Sequence, residues 1–211
     1  MKCKINLLAQ LKTLPHFTKS TIYQLGMELG LKDSTIDTYI SRFLKYKEII
    51  SLKNGLYVAT EFFEKNRSDL SYVFYLANIS YTPSYISSWT ALQYYNLTTE
   101  AIYTISSVGT KTTRNFPTKS GNFSYQSINK NLFSDYLLVT ANTDSKSGNF
   151  DFFIASPAKA LYDLLYYKTH QFRGVSLDDI KKLINDLRID FEEMDKPEQD
   201  KFYAMIKKLY E

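Results

Sequence analysis

Cysteine, histidine and glycine are all scarce in this chain of 211 residues, and each scarcity removes a class of function. The single cysteine, Cys3, excludes an intrachain disulfide and gives no sign of an oxidising compartment. Only two histidines are present, His16 and His170, scattered in sequence, so neither a zinc site nor a histidine-activated nucleophile is indicated. The seven glycines form no phosphate-cradling loop. No apolar run approaches the ~20 residues of a membrane span, and the opening MKCKINLLAQLKTLPHF is too short and too polar for a secretory signal. Carboxylates cluster at Asp178-Asp179 and Glu192-Glu193-Asp195, but on lysine-dotted helical segments that read as solvated faces. The expectation is a soluble, cytoplasmic protein that is not an enzyme, with no catalytic residues, no metal, no cofactor and no membrane partner.

What is abundant is ordinary core material and unevenly placed charge. Hydrophobic residues make up 44 % of the chain, enough to bury a core unaided. Tyr (18) and Phe (14) are abundant beside many Asn, Lys and Ile, a bias that an AT-rich coding sequence produces, so the tyrosines are not read as base-stacking platforms. Residues 1–60 hold nine Lys or Arg against four acids, whereas the whole chain is only +4, so the basic excess is confined to the first part. Such an excess is the electrostatic footprint of phosphate binding.

That part is organised around Thr18 to Ala59. Ile5, Leu8, Leu11 and Leu14 predict a first helix ending before Pro15. Ile22, Leu25 and Leu29 predict a second, capped by Thr18 and stopped at Gly30. Asp33 is expected to cap a third helix, whose Ile36, Ile40, Phe43, Leu44 and Lys47 share one side at ~100° per residue. Ser34, Thr38, Ser41 and Lys45 then face outward, with Arg42 beside them. Ile49–Leu52 and Leu56–Ala59 flank Lys53-Asn54-Gly55 and predict a hairpin whose tight turn takes positive φ at both Asn54 and Gly55. Helix, turn, helix, hairpin is the order of a winged helix-turn-helix, in which the last of the helices enters the major groove. Ser34, Thr35, Thr38, Ser41 and Arg42 are the expected base-edge contacts. Lys19, Lys32, Lys45 and Lys53 are the expected phosphate contacts, with Lys53 and Asn54 at the hairpin tip. Winged helices also serve as protein-binding modules, and the second reading is an interaction module in which this head has no DNA function.

The domain is assigned to residues 1–62, followed by 63–211. Thr60–Ser71 is the polar joint, in which Phe62 and Phe63 imply docking. Beyond it lie an apolar helix at Tyr72–Asn78, a β-prone segment at Ile79–Ile86, and a helix through Trp89 and Tyr95 capped by Ser87 or Ser88. Strands are expected at Glu100–Gly109, at Thr110–Pro117 with Asn122–Ile128 around Lys119-Ser120-Gly121, and at Leu132–Thr140 with Asn149–Ile154 around Ala141–Gly148. Hairpin-length connections make the simplest sheet antiparallel. Ser156 with Pro157 opens a helix carrying Ala160, Leu161, Leu164 and Leu165, and further helices cover Ser176–Leu187 and Lys196–Tyr210. The fold class is α+β: a winged helix-turn-helix, then a mixed domain with a mainly antiparallel sheet and C-terminal helices. Lys159 and Asp163 pair on one helix face, as a surface ion pair worth ~0.3–0.5 kcal/mol or as a partner contact. Lys111 and Arg114 can extend a basic surface or merely solubilise an edge.

Three segments, PSYISSWTALQYYNLTTEAIYTISSVGTK (83–111), SGNFSYQSI (120–128) and IASPAKALYDLLYY (154–167), together resemble the AbiEi family of antitoxins from bacterial type IV toxin-antitoxin systems. A typical member carries Glu where this chain has Ala158. The resemblance implies a repressor that binds double-stranded DNA at its own promoter and neutralises a cognate nucleotidyltransferase toxin, AbiEii-like. Nothing in the residues beyond the family likeness indicates the antitoxin half.

Overall fold

Three helices and a small antiparallel sheet form around one apolar cluster at the N-terminal end. In a computed structural model, which describes residues 2–118, 121–140 and 150–208, they run α1 (Lys2–Leu11), β1 (Phe17–Thr18), α2 (Lys19–Glu28), α3 (Asp33–Lys45), β2 (Ile49–Lys53) and β3 (Leu56–Ala59). Leu7 and Leu11 of α1, Ile22 of α2, and Ile36, Ile40 and Phe43 of α3 meet Phe17, Ile49 and Tyr57 in that core. Ile5, expected inside, is 62 % exposed, because the buried stripe of α1 runs through Leu7 and Leu11 instead. Gly26 lets α2 approach α3: a Cβ there would stand 2.5 Å from Ile36 Cδ1.

Local chemistry sets the helix ends. Thr18 Oγ1 accepts from Thr21 N–H at 3.2 Å, and Thr18 N–H donates to Thr21 Oγ1 in return, satisfying otherwise unpaired amides of α2. At its other end Gly30 takes φ +71°, Gly30 N–H bonds Met27 O, and Leu31 N–H bonds Gly26 O. Asp33 does not cap α3. Lys32 holds the cap position with no side-chain bond, and Asp33 is the first helical residue, where its charge still meets the positive end of the helix dipole. The helix also ends earlier than its apolar spacing suggests. Lys47 stands beyond it at φ +57°, donating its N–H to Leu44 O, and Leu44 is 37 % exposed.

Strand β3 pairs antiparallel with both β1 and β2. The hairpin forms at Asn54-Gly55, but only Gly55 has positive φ, at +78°. A shift in the β2–β3 register between Ser51 and Lys53 accompanies this turn, so an irregularity in the strand contributes the twist that a turn with two left-handed residues would have supplied.

The chain divides into two units, Met1–Val73 on one side and Phe74–Pro117 with Gly121–Glu211 on the other. The first unit therefore includes all of α4 (Thr60–Asn66) and the start of α5 (Leu70–Ser80), whereas the sequence reading ended the first domain at residue 62, within α4. Aromatic packing accounts for this. Phe62 and Phe63 lie 5.5 and 6.4 Å from the Tyr72 ring, and the Tyr72 hydroxyl donates to Pro15 O at 2.8 Å.

The second unit is a six-stranded sheet with helices on it. It comprises β4 (Ser84–Ile86), α6 (Ser88–Tyr94), β5 (Thr104–Gly109), β6 (Arg114–Thr118), β7 (Gly121–Ser127), β8 (Tyr136–Val139), β9 (Phe152–Ala155), α7 (Pro157–Lys168), α8 (Leu177–Asp186) and α9 (Lys196–Lys207). The sheet order is β6-β7-β5-β4-β9-β8. It is mixed rather than purely antiparallel: β4–β5 and β8–β9 are antiparallel, β5–β7 and β4–β9 parallel. The short connections were real, but neighbours in sequence are not all neighbours in the sheet. Strand β6 takes the outer edge, so β7 returns beside β5 in the same direction. Overall the protein is α+β, with one antiparallel and one mixed sheet. The expected turn residues Lys119 and Ser120, the loop Ala141–Gly148 and the helix end at Tyr210 lie outside the described residues.

Candidate nucleic-acid interface

Helix α3 buries Ile36, Ile40 and Phe43 and leaves a polar row outside. Asp37, Thr38, Ser41, Arg42 and Lys45 line a shallow groove of 360 Å³ on that outer face. Ser34 and Lys32 are exposed before it, and Thr35 is half-buried. Lys53 and Asn54 sit exposed at the hairpin tip, outside the groove lining.

The hydroxyls on this face are held by their own helix. Thr38 Oγ1 donates to Ser34 O at 2.8 Å and Ser41 Oγ to Asp37 O at 3.0 Å. Each hydroxyl oxygen keeps its capacity to accept, and rotation about one bond frees the donor. The cations divide into two kinds. Lys32, Arg42 and Lys45 are exposed and have no ion-pair partner among the described residues. Lys19 is engaged: its Nζ lies 3.1 Å from Asp37 Oδ1 and 5.3 Å from the Tyr23 ring centre.

Asp37 and Tyr23 were missed in the sequence, although the spacing that placed Ser41 and Lys45 on the outer face also puts Asp37 there, four residues before Ser41. The Tyr23 hydroxyl and then the Lys19 ammonium hold the Asp37 carboxyl below its ordinary value, and that carboxylate in turn raises Lys19 and Tyr23. The one acid in the groove is thus neutralised from α2, which leaves the net positive charge of the face to Lys32, Arg42 and Lys45.

In the second unit, Tyr85 and Ser87 meet Lys159 and Asp163 of α7 inside the fold. Lys159 and Asp163 are not at the surface, as expected, but 2 % and 0 % exposed, with Nζ 2.8 Å from Oδ1. The other carboxylate oxygen accepts from Ser87 Oγ at 2.7 Å and from Tyr85 OH at 3.0 Å. Lys159 Nζ also donates to Leu132 O at 2.7 Å and lies 4.9 Å from the Tyr162 ring centre. Burial pushes the Asp163 carboxyl up, while Lys159, Ser87 and Tyr85 pull it back. Burial and Asp163 together also raise the Tyr85 hydroxyl. Because Ser87 is turned toward Asp163, it makes no side-chain cap on α6, contrary to expectation. At the start of α7, Ser156 likewise makes no cap bond and accepts from Lys201 Nζ at 2.9 Å. Glu198 of α9 accepts from the Ala158 N–H at 2.9 Å, so a carboxylate from elsewhere in the chain serves the first turn of α7.

Lys111 is committed too, donating to Thr82 O at 2.6 Å, whereas Arg114 has no partner among the described residues. Among those residues no group of His, Cys, Asp and Glu is arranged to hold a metal ion, and no helix is long and apolar enough to cross a membrane. No protein-family model matches the chain, and no curated protein does.

Proposed function

We propose that the first unit is a winged helix-turn-helix that binds duplex DNA, with α3 in the major groove and the β2–β3 hairpin as its wing. The observation that carries this is the outer face of α3, where hydroxyls and an amphoteric Lys19–Asp37 pair surround exposed cations with no partner of their own. Arg42 has the planar fork that reads guanine, and Thr38 and Ser41 can bond either kind of base edge. Lys32 and Lys45, with Lys53 and Asn54 at the wing, serve the phosphates.

The upstream DNA of its own gene is the natural ligand to test. With about four to six phosphates contacted, log K falls with log salt at a slope of roughly −4 to −5. Fluorescence anisotropy across a salt series measures that slope. Failure of the intact protein to retain its upstream DNA at low salt overturns the reading.

On the resemblance alone, we extend the proposal to an autoregulator and antitoxin of a type IV system, directed against a nucleotidyltransferase-type toxin. Ala158 is the position where the chain departs from the family pattern. Co-expression with the neighbouring gene tests this half: growth arrest by the neighbour that this chain does not relieve defeats it and leaves the DNA proposal standing.

A further inference from the structure

The second unit contains a cleft of 220 Å³ that the DNA-binding reading does not use. Its floor comes from Ser106 and Gln126 on the parallel pair β5–β7, and its walls from Ser88 and Trp89 of α6 and Leu164 and Lys168 of α7.

Ser88 is the informative residue. It is 8 % exposed, and that remaining surface lines the cleft, yet its hydroxyl makes no hydrogen bond among the described residues. A hydroxyl that faces a cavity without a protein partner is free to take a ligand atom, and on the same lining Ser107 Oγ is buried with no hydrogen-bond partner among the described residues. Its backbone is left-handed at φ +53°, a conformation that costs a non-glycine residue ~1–2 kcal/mol and that concentrates at ligand sites.

Ser106, Gln126, Lys168 and Trp89 also line this cleft, and none of their side chains has a partner among the described residues. No carboxylate lines the cleft, so its charge is that of Lys168. Hydroxyl donors beside one ammonium suit a phosphate ester, and an unstacked indole with the Leu164 side chain suits a flat ring. Ligand sites usually span about 300–1,000 Å³, so this smaller cleft cannot enclose a dinucleotide coenzyme, and a single nucleotide would fill it with part of its surface left in solvent.

We propose that this cleft binds a nucleoside monophosphate, as the free nucleotide or as the phosphorylated end of a chain. Lys168, Ser88 and Ser106 hold the phosphate, Trp89 and Leu164 cover the base, and the Gln126 amide offers the base edge a donor and an acceptor.

Trp89 is the only tryptophan in the chain, so its fluorescence reports the cleft directly. The intact protein is titrated with each of the common ribonucleoside 5′-monophosphates, with the matching nucleosides, with inorganic phosphate and with a 5′-phosphorylated dinucleotide, correcting for absorption by the base. The expected result is a saturable change with at least one monophosphate, and about tenfold weaker binding when either phosphate or base is missing. Ser88→Ala and Lys168→Ala should each weaken binding about tenfold with unchanged melting. If Ser88→Ala does not fold, Lys168→Ala, at an exposed position, decides alone. Tighter binding of the dinucleotide identifies a chain end as the source, and weaker binding a free nucleotide. No saturable change at millimolar monophosphate, or undiminished affinity in Lys168→Ala, overturns the proposal. None of these readouts depends on duplex DNA binding by α3.

Discussion

The outer face of α3 and the interior of the second unit hold their cations in opposite ways. On the outer face of α3, Lys32, Arg42 and Lys45 are exposed and have no ion-pair partner among the described residues. In the second unit Lys159 is 2 % exposed, bonded to Asp163 and Leu132, and stacked over Tyr162. A solvated charge without a partner contributes almost nothing to folding and remains available for recognition. A buried charge held in an ion pair cannot reach a ligand, and losing its partner is costly. Burial, more than residue type or sequence spacing, separates a recognition cation from a structural one here.

The largest effect that this contrast predicts is at Asp163. Asp163→Asn should lower the unfolding free energy by about 3–5 kcal/mol, because it strands a buried ammonium while preserving an acceptor for Ser87 and Tyr85. Lys159→Met added to Asp163→Asn should recover much of that loss, since no buried charge then remains. Urea unfolding followed by circular dichroism measures both. A single-variant cost under about 1 kcal/mol would mean that the pair behaves like one at the surface, and the contrast would fail.

Arg42→Ala is the mirror experiment. Stability should stay within about 0.5 kcal/mol, while affinity for the specific DNA site falls about 10- to 100-fold and non-specific affinity falls less. A variant that loses stability instead would assign Arg42 to the fold.

The sequence was most legible where chemistry is local. The Thr18 cap, the Gly30 stop and the Asn54-Gly55 hairpin each depend on a few adjacent residues, and each element formed where its residues indicated. Periodicity also found the buried face of α3 through Ile36, Ile40 and Phe43. Long-range pairing was less accessible. Nothing within residues 100–128 indicates that β7 will lie parallel to β5, because that follows from β6 taking the sheet edge. The depth of Lys159 and Asp163 was hidden for a similar reason: a spacing of four says that two side chains share a helix face, not that Tyr85 and Ser87 will close over it. On the candidate interface, spacing gave the outward row, but the engagement of Lys19 required knowing that α2 brings Tyr23 and Lys19 to Asp37.

Asp37→Asn sharpens the first half of the contrast by converting a paired cation into a free one. Removal of the carboxylate releases Lys19 beside three cations that have no partner, so DNA binding should tighten and the salt slope should steepen by about one unit. Anisotropy titrations at several salt concentrations compare the slopes. An unchanged slope would show that Lys19 cannot reach a phosphate even when released.

The smallest expected effect separates charge from backbone strain at the end of α3. Lys47 follows the helix at φ +57°, with its N–H on Leu44 O and Glu48 N–H on Phe43 O, the position and bonding that glycine most often occupies. Lys47→Gly relieves the left-handed strain but gives up a cation near the negative end of the helix dipole, so a net gain of about 0.5–1 kcal/mol is expected in urea unfolding. Lys47→Ala removes the same charge without relieving the strain and should be neutral or slightly destabilising. If both variants weaken DNA binding equally while only the glycine variant gains stability, the lysine is retained at this strained position for its charge. If neither affects DNA binding, the cationic surface of the first unit ends at Lys45.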